Sequence, residues 1–143
     1  VNKWDLIAKE TISKDDFKDE MIYRLPTLRH YPIRFISIKN NYKVRSVLEQ
    51  SIEVFDRRNI KMKTKLLNNV FAEIIREYPP PSTKGKEVSV KYITQIRNSP
   101  PLFGIYSNRP DLISKTYKKY LINQIRDRFN FEGVPINISF RKK

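Results

Sequence analysis

Apolar and polar residues in the first third of the chain follow a pattern that predicts alternating helix and strand. In DDFKDEMIYRL (15–25), apolar residues recur at helical intervals, and the two leading aspartates favour the positive N-terminal end of a helix. The short apolar run IRFIS (33–37) predicts a strand, and the two asparagines at 40–41 predict a turn. An apolar stripe in KVRSVLEQSIEVFDRR (43–58) predicts an amphipathic helix. This order matches the closing part of a doubly wound α/β domain.

The remaining residues predict a second unit with the order α-β-β-α-β. Thr64 is a candidate N-cap for a helix that extends to about Tyr78, where PPPSTKGK (79–86) ends it. Alternation in EVSVKYITQ predicts a strand with Val88, Val90 and Tyr92 facing inward, and LFGIYSN predicts a second strand. Pro110 and Asp111 are expected to open a long helix, and alternating residues in FEGVPINISF predict a last strand.

These patterns define two domains and an α+β fold. We place the boundary between residues 1–59 and residues 60–143, near RRNIKMKT. In the second domain, two helices covering one face of a three-stranded sheet form an α+β layer. The first domain contains a single predicted strand, which is too little for an independent sheet.

The two predicted domains also differ in net charge. The protein has 29 Lys and Arg against 15 Asp and Glu, a net charge of +14. Residues 1–59 contain 12 basic and 9 acidic side chains, whereas residues 60–143 contain 17 and 6. A basic half is the electrostatic footprint of a polyanion partner, most often a nucleic acid. The alternative, a solvated lysine-rich surface, remains open for each basic residue taken singly.

Composition also excludes several classes of protein. The chain has no Cys, so it forms no disulfides, and its single His rules out a His-rich metal site. No apolar run approaches the roughly 20 residues of a membrane span. We therefore expect a cytoplasmic protein with no membrane partner and no bound metal of its own.

The opening residues VNKWDL have the residue types and spacing of a guanine-reading loop. Guanine presents two donors on one edge, and the two oxygens of Asp5 can accept both. Lys3 can lay its alkyl stem along the base, and Asn2 can brace the loop. Trp4 is more typical of packing than of base reading, and an ordinary polar turn remains the alternative for the whole motif.

The stretch FISIK supplies a second loop after the predicted strand, at the distance expected for such a site. Backbone N–H groups near Ser37, Ile38 and Lys39 can donate to the guanine carbonyl oxygen, although a plain strand end would look the same. The chain has no G-x-x-x-x-G-K-[ST] phosphate loop and no Asp-x-x-Gly after a strand. We expect this polypeptide alone to lack catalytic residues and GTP hydrolysis.

Taken together, these segments resemble the C-terminal part of the Der (EngA) family of bacterial GTPases over essentially the whole chain. VNKWDL looks like the guanine-specificity motif of the second G domain, and FISIK like its last nucleotide loop. YPPPSTKGKEVSVKYITQIRNSPPLFGIYSN and YKKYLINQIRDRFNFEGVPINISFRKK look like the KH-like domain. The family more often has a small residue where Ile38 follows Ser37.

The resemblance implies a function in assembly of the large ribosomal subunit. It implies that GTP or GDP with Mg binds the full-length GTPase, with Asn2, Lys3, Trp4 and Asp5 as base-binding residues. It also implies that the KH-like domain docks on ribosomal RNA and packs against the intramolecular G domains. Two alternatives are a stand-alone RNA-binding module, in which NKWD is a coincidence, and a structural scaffold.

The basic residues of the second domain are the candidates for phosphate contact. True KH domains clamp RNA with a G-x-x-G loop, which is not present here. Tyr92, Tyr106, Tyr117 and Tyr120 can stack on bases, but their spacing favours core positions. The candidates are Lys84, Lys86, Lys91, Arg97, Lys115, Lys118, Lys119, Arg126, Arg128, Arg141, Lys142 and Lys143.

Overall fold

Four α-helices and three β-strands form in the part of the chain described by the computed structural model, residues 1–7, 12–82 and 85–143. Short 3-10 turns occur at Trp4–Leu6, Pro26–His30 and Pro110–Leu112. The chain divides into two compact units, Val1–Phe55 and Asp56–Lys143. The helices and strands are α1 (Lys14–Arg24), α2 (Val44–Arg58), α3 (Thr64–Glu77), β1 (Val90–Arg97), β2 (Leu102–Ser107), α4 (Lys115–Arg128) and β3 (Asn137–Lys142).

In the first unit, side-chain capping sets where α1 begins. The hydroxyl of Ser13 accepts a hydrogen bond from the backbone N–H of Asp16 at 3.1 Å, so the helix begins at Lys14. The strand predicted at 33–37 is wrong, because these residues form an extended segment with only an isolated bridge between Ser37 and Tyr42. The segment hydrogen-bonds to the first residues of the chain, and this pairing is too short to form a ladder.

In the second unit, both helices begin at different residues from those predicted. Thr64 is the first residue of α3 rather than its N-cap, and Lys63 at the cap position provides no side-chain hydrogen bond. The helix predicted from Pro110 begins instead at Lys115. The hydroxyl of Ser114 caps α4 by accepting from the N–H of Tyr117 at 3.0 Å, whereas Ile113 is extended.

The three strands form one sheet in the order β1-β2-β3. Strand β1 pairs antiparallel with β2, and β2 pairs parallel with β3. Helix α3 packs on β1 and on α4, and α4 packs on β3. The predicted α+β arrangement of a three-stranded sheet with helices is therefore confirmed.

The sheet face beneath the helices contains the core of this unit. Ile93, Phe103 and Ile105 are fully buried there, and Ile138 is 4% exposed. A register shift between Val90 and Tyr92 interrupts the simple alternation of β1. Burial of Ile93 places its neighbour Tyr92 on the opposite face, so the inward position predicted for Tyr92 is wrong.

Two side-chain amides make the hydrogen bonds at the outer edge of β1. The amide of Asn68 on α3 donates to the carbonyl oxygen of Ile93 at 2.9 Å and accepts from its N–H at 3.0 Å. Gln95 in turn accepts from the N–H of Met62 at 2.7 Å and donates to the carbonyl oxygen of Ile60 at 2.9 Å. These four hydrogen bonds connect β1 to α3 and to the segment that precedes it.

Candidate functional site

The candidate site forms where the first residues of the chain lie against the extended segment at 33–37. The N–H of Ile36 donates to the carbonyl oxygen of Val1 at 2.9 Å, and the N–H of Trp4 donates to the carbonyl oxygen of Ile36 at 3.0 Å. The backbone nitrogen of Val1 donates to the carbonyl oxygen of Arg34 at 2.8 Å. This pairing brings the two predicted guanine loops together, although they are more than thirty residues apart in sequence.

Asn2 connects the two loops through one oxygen atom. Its Oδ1 accepts from the backbone N–H of Lys3 at 2.7 Å and from that of Ile38 at 3.3 Å. Lys3 has a left-handed backbone conformation, with φ of 61°, which turns the chain into the Trp4–Leu6 helical turn. The bracing role predicted for Asn2 therefore has a geometric basis in this structure.

Asp5 is held in place by Ser37 from the other loop. The hydroxyl of Ser37 donates to Oδ1 of Asp5 and accepts from the N–H of Asn40 at 3.2 Å. This hydrogen bond is the main cause that lowers the pKa of the Asp5 carboxyl, with Lys39 and Lys3 adding a favourable charge. Asp5 is therefore an oriented carboxylate at neutral pH, ready to accept hydrogen bonds from a ligand.

We predict that Ser37→Ala raises the pKa of Asp5 toward its ordinary value. The hydroxyl hydrogen bond favours the charged form, so it stabilises the site at neutral pH and is lost as the pH falls through the lowered pKa. Carboxyl chemical shifts of Asp5 followed by NMR against pH would measure the change. Ser51→Ala is the matched control, because its hydroxyl bonds to the carbonyl oxygen of Val47 on α2, away from Asp5. An unchanged titration of Asp5 in Ser37→Ala would contradict this account.

Trp4 belongs to the core of the first unit. Its side chain is 7% exposed and packs against Phe35 at 4.4 Å and Phe17 at 5.4 Å between ring centroids. The two phenylalanines also contact each other at 5.9 Å. Packing of Trp4 fixes the backbone from which Lys3 and Asp5 project.

An open crevice of about 440 Å³ lies between the two loops, and its volume is within the range of small-ligand sites. Six of the seven predicted guanine-site residues line it, and Trp4 does not. Sequence reasoning missed Leu6, whose 72% exposed side chain also lines the crevice, because nothing in the motif marks that position. The lining residues are Asn2, Lys3, Asp5, Leu6, Ser37, Ile38 and Lys39.

The predicted phosphate-contacting residues differ in how exposed their side chains are. Arg126 is only 8% exposed, and Arg128 bonds to Glu77 at 2.6 Å with Glu73 at 3.6 Å, so neither is a free surface cation. Lys118 is partly exposed, and Lys84 lies outside the described residues. The exposed candidates are Lys86, Lys91, Arg97, Lys115, Lys119, Arg141, Lys142 and Lys143.

The described residues contain no group of three or more His, Asp or Glu side chains positioned to hold a metal ion. Within the same ranges, every helix is too short or too polar to cross a membrane.

The second unit of the chain is similar to a known class of domain, and this similarity shows the family to which the chain belongs. Residues 61–141, which include the sheet and helices α3 and α4, match the model of a KH-like domain. The chain belongs to the family described as the KH-domain-like of EngA bacterial GTPase enzymes, C-terminal.

Curated relatives match the chain along its entire length. Proteins named GTPase Der from Flavobacterium johnsoniae and Chloroherpeton thalassium are 38% and 37% identical to it over 143 residues. The GTPase Der of Halothermothrix orenii is 39% identical over the same length. Each alignment covers 100% of this chain and 33% of the relative, so the chain spans about one third of the length of these proteins.

Proposed function

We propose that the chain is the C-terminal part of a GTP-binding protein and that its first unit reads the guanine base. The observation that carries this proposal is the crevice in which Asn2, Asp5 and Ser37 converge from two distant loops. The KH-like family and the relatives named GTPase Der support the same assignment. In this proposal residues 1–59 close a G domain and residues 60–143 form the KH-like domain.

The geometry around Asp5 suits a base with two adjacent donors. One lone pair of Oδ1 is used by the Ser37 hydroxyl, and the other lone pairs of the carboxylate remain for the N1–H and amine of guanine. Adenine has no N1–H, so it leaves an acceptor of the site unpaired. Lys3 and Ile38 flank the acid, and the exposed backbone near Ile38 and Lys39 is where the guanine carbonyl oxygen would bind.

In the full-length protein, the proposed activity is GTP hydrolysis in the service of assembling the large ribosomal subunit. GTP or GDP with Mg would bind the complete G domains, where Mg supplies charge stabilisation for phosphoryl transfer. The KH-like domain would dock on ribosomal RNA and against the G domains in the same cytoplasmic protein. This chain has no phosphate-loop or magnesium-binding motif, and we expect it to be inactive alone.

A nucleotide competition experiment tests the guanine assignment. The full-length protein that contains this segment should bind GTP at least about a hundredfold more tightly than ATP, because adenine leaves hydrogen bonds unmade. Fluorescent GDP displaced by unlabelled GTP or ATP gives both affinities. Equal displacement by the two nucleotides would overturn the proposed function.

We predict that RNA docking by this chain depends steeply on salt. If about five of the exposed cations neutralise phosphates, the logarithm of the affinity should fall with the logarithm of salt concentration at a slope of roughly −4. Lys119→Gln should reduce the slope by about one. Titration with ribosomal RNA between low and physiological salt measures both, with Arg45→Gln as the control because that side chain is 90% exposed in the first unit. Absent or salt-insensitive binding would favour the scaffold instead.

A further inference from the structure

The sheet face opposite the helices displays a stacked tyrosine pair. Tyr92 on β1 and Tyr106 on β2 are direct register partners, and their rings lie 4.3 Å apart between centroids with an interplanar angle of 13°. Both side chains are partly exposed, in contrast to Tyr117, which is 2% exposed in the core. The interior position expected for both tyrosines from their spacing is therefore wrong.

Cations surround this pair. Arg141 on β3 is the register partner of Tyr106, so one strand spacing of about 5 Å separates their backbones. Lys143 places its Nζ 5.7 Å from the centroid of the Tyr92 ring, within the range of a cation–π contact. Arg141 and Lys143 have no ion-pair partner among the described residues.

The next register row of this face consists of small residues covered in part by one larger side chain. Thr94, Gly104 and Ser139 form the next register row, and Ile96, which is 41% exposed, lies directly above Gly104. A Cβ at Gly104 would come within 2.8 Å of the Ile96 side chain, so glycine allows this close contact. Because the two tyrosine rings stack on each other, each covers one ring face of its partner, and the outer ring faces of the pair remain for a planar ligand, with cations close by.

We propose that this face binds unpaired bases of single-stranded RNA by stacking on Tyr92 and Tyr106, with Arg141 and Lys143 contacting the adjacent phosphates. The inference rests on the proposed function, because it specifies which surface of the KH-like domain receives RNA and in which form. Aromatic side chains on an open sheet bind single-stranded bases in this way, and such stacking tolerates any base. This mode does not require the G-x-x-G clamp that the chain lacks.

Charge favours RNA over a protein partner at this face. Residues 60–143 contain 17 basic and 6 acidic side chains, and two exposed cations, Arg141 and Lys143, lie on the face of the tyrosines. Lysine is depleted in the buried centres of protein interfaces, where its ammonium would lose water without compensation. A phosphate backbone supplies that compensation and releases bound counterions.

The test compares two labelled oligonucleotides binding to the 143-residue chain by fluorescence anisotropy. One is a uridine strand of about twelve nucleotides, and the other has the same number of phosphates but abasic sugars in its centre. We expect the uridine strand to bind roughly tenfold more tightly. Tyr92→Ala and Tyr106→Ala should remove this preference, whereas Tyr92→Phe and Tyr106→Phe should retain it. Tyr23→Ala is the matched control, since Tyr23 is 86% exposed in the other unit.

Salt dependence separates stacking from phosphate contact. Tyrosine variants should leave the salt slope unchanged, whereas Arg141→Gln and Lys143→Gln should each reduce it by about 0.7. Thermal melting shows whether each variant is folded. If Tyr106→Ala unfolds, Tyr106→Leu replaces it, because leucine keeps much of the side-chain volume without the π face.

Three other outcomes of these experiments would overturn the proposal. Equal binding of the two strands, or a base preference that survives both alanine changes, would show that RNA binds elsewhere or through phosphates alone. Loss of G-domain association in the tyrosine variants, without any change in RNA preference, would assign the face to a protein contact. These results leave the GTP–ATP competition unaffected, so failure of this proposal is distinguishable from failure of the proposed function.

Discussion

Replacing Asp5 by Asn in the full-length protein is expected to weaken GTP binding by about 100- to 1000-fold. The change retains an oxygen for the Ser37 hydroxyl, so the loops should keep their positions. It replaces one acceptor by an amide N–H that faces a donor of guanine, and each lost charged hydrogen bond costs about 1.5–3 kcal/mol. Displacement of fluorescent GDP measures the loss.

The same variant should gain affinity for a different base. Xanthine has an oxygen where guanine has its amine, so the Asn amide can donate to it while its oxygen accepts from N1–H. Asp19→Asn on α1 is the matched control, because this exposed carboxylate lies outside the crevice. Undiminished preference for GTP over ATP in Asp5→Asn, or no recovery with xanthosine triphosphate, would rule out the base-reading role.

Replacing Asn68 by Ala is expected to destabilise the chain by roughly 3 kcal/mol. The amide of Asn68 satisfies both the N–H and the carbonyl of Ile93, a residue with no exposed surface. Its removal leaves two backbone groups without partners, and each unsatisfied group costs about 1–3 kcal/mol. Urea unfolding followed by circular dichroism measures the free-energy difference.

Asn69→Ala is an unusually close control for this change. Asn69 is the next residue of α3 and is exposed, so the substitution has the same effect on helix propensity without loss of a contact to β1. We expect it to be neutral or slightly stabilising, because alanine favours helix more than asparagine does. Equal unfolding free energies for the two variants would mean that the Asn68 hydrogen bonds do not stabilise the sheet edge.

The order of elements in the second unit could be predicted from the sequence because its apolar periodicity is strong. Phe71, Leu121 and Ile138 are all buried where alternation or helical spacing places them. The start of α4 could not be placed, since Pro110 and Asp111 give as good a start signal as Ser114 does. The sequence also does not indicate the register shift between Val90 and Tyr92, which interrupts the alternation that predicts an inward Tyr92.

The residues of the candidate site could be predicted from the sequence, but the contacts between their side chains could not. The sequence predicts both Asp5 and Ser37 as site residues, yet nothing in it indicates that the serine hydroxyl bonds to the carboxylate. Such a contact depends on the pairing of 1–4 with 33–37, and long-range pairings of short segments leave little local signal. The turn containing Asn41, with its positive φ of 49°, is the local feature that returns the chain to Ser37.

The side-chain amide of Asn68 beside β1 also restricts how copies of this chain can associate. An uncovered strand is a template onto which a second molecule can add, and such addition leads to fibrils. Because the peptide group of Ile93 is already engaged by Asn68, growth of the sheet by a strand from another molecule is obstructed on the β1 side. One of the two sheet margins is thus partly covered by a side chain of the chain itself.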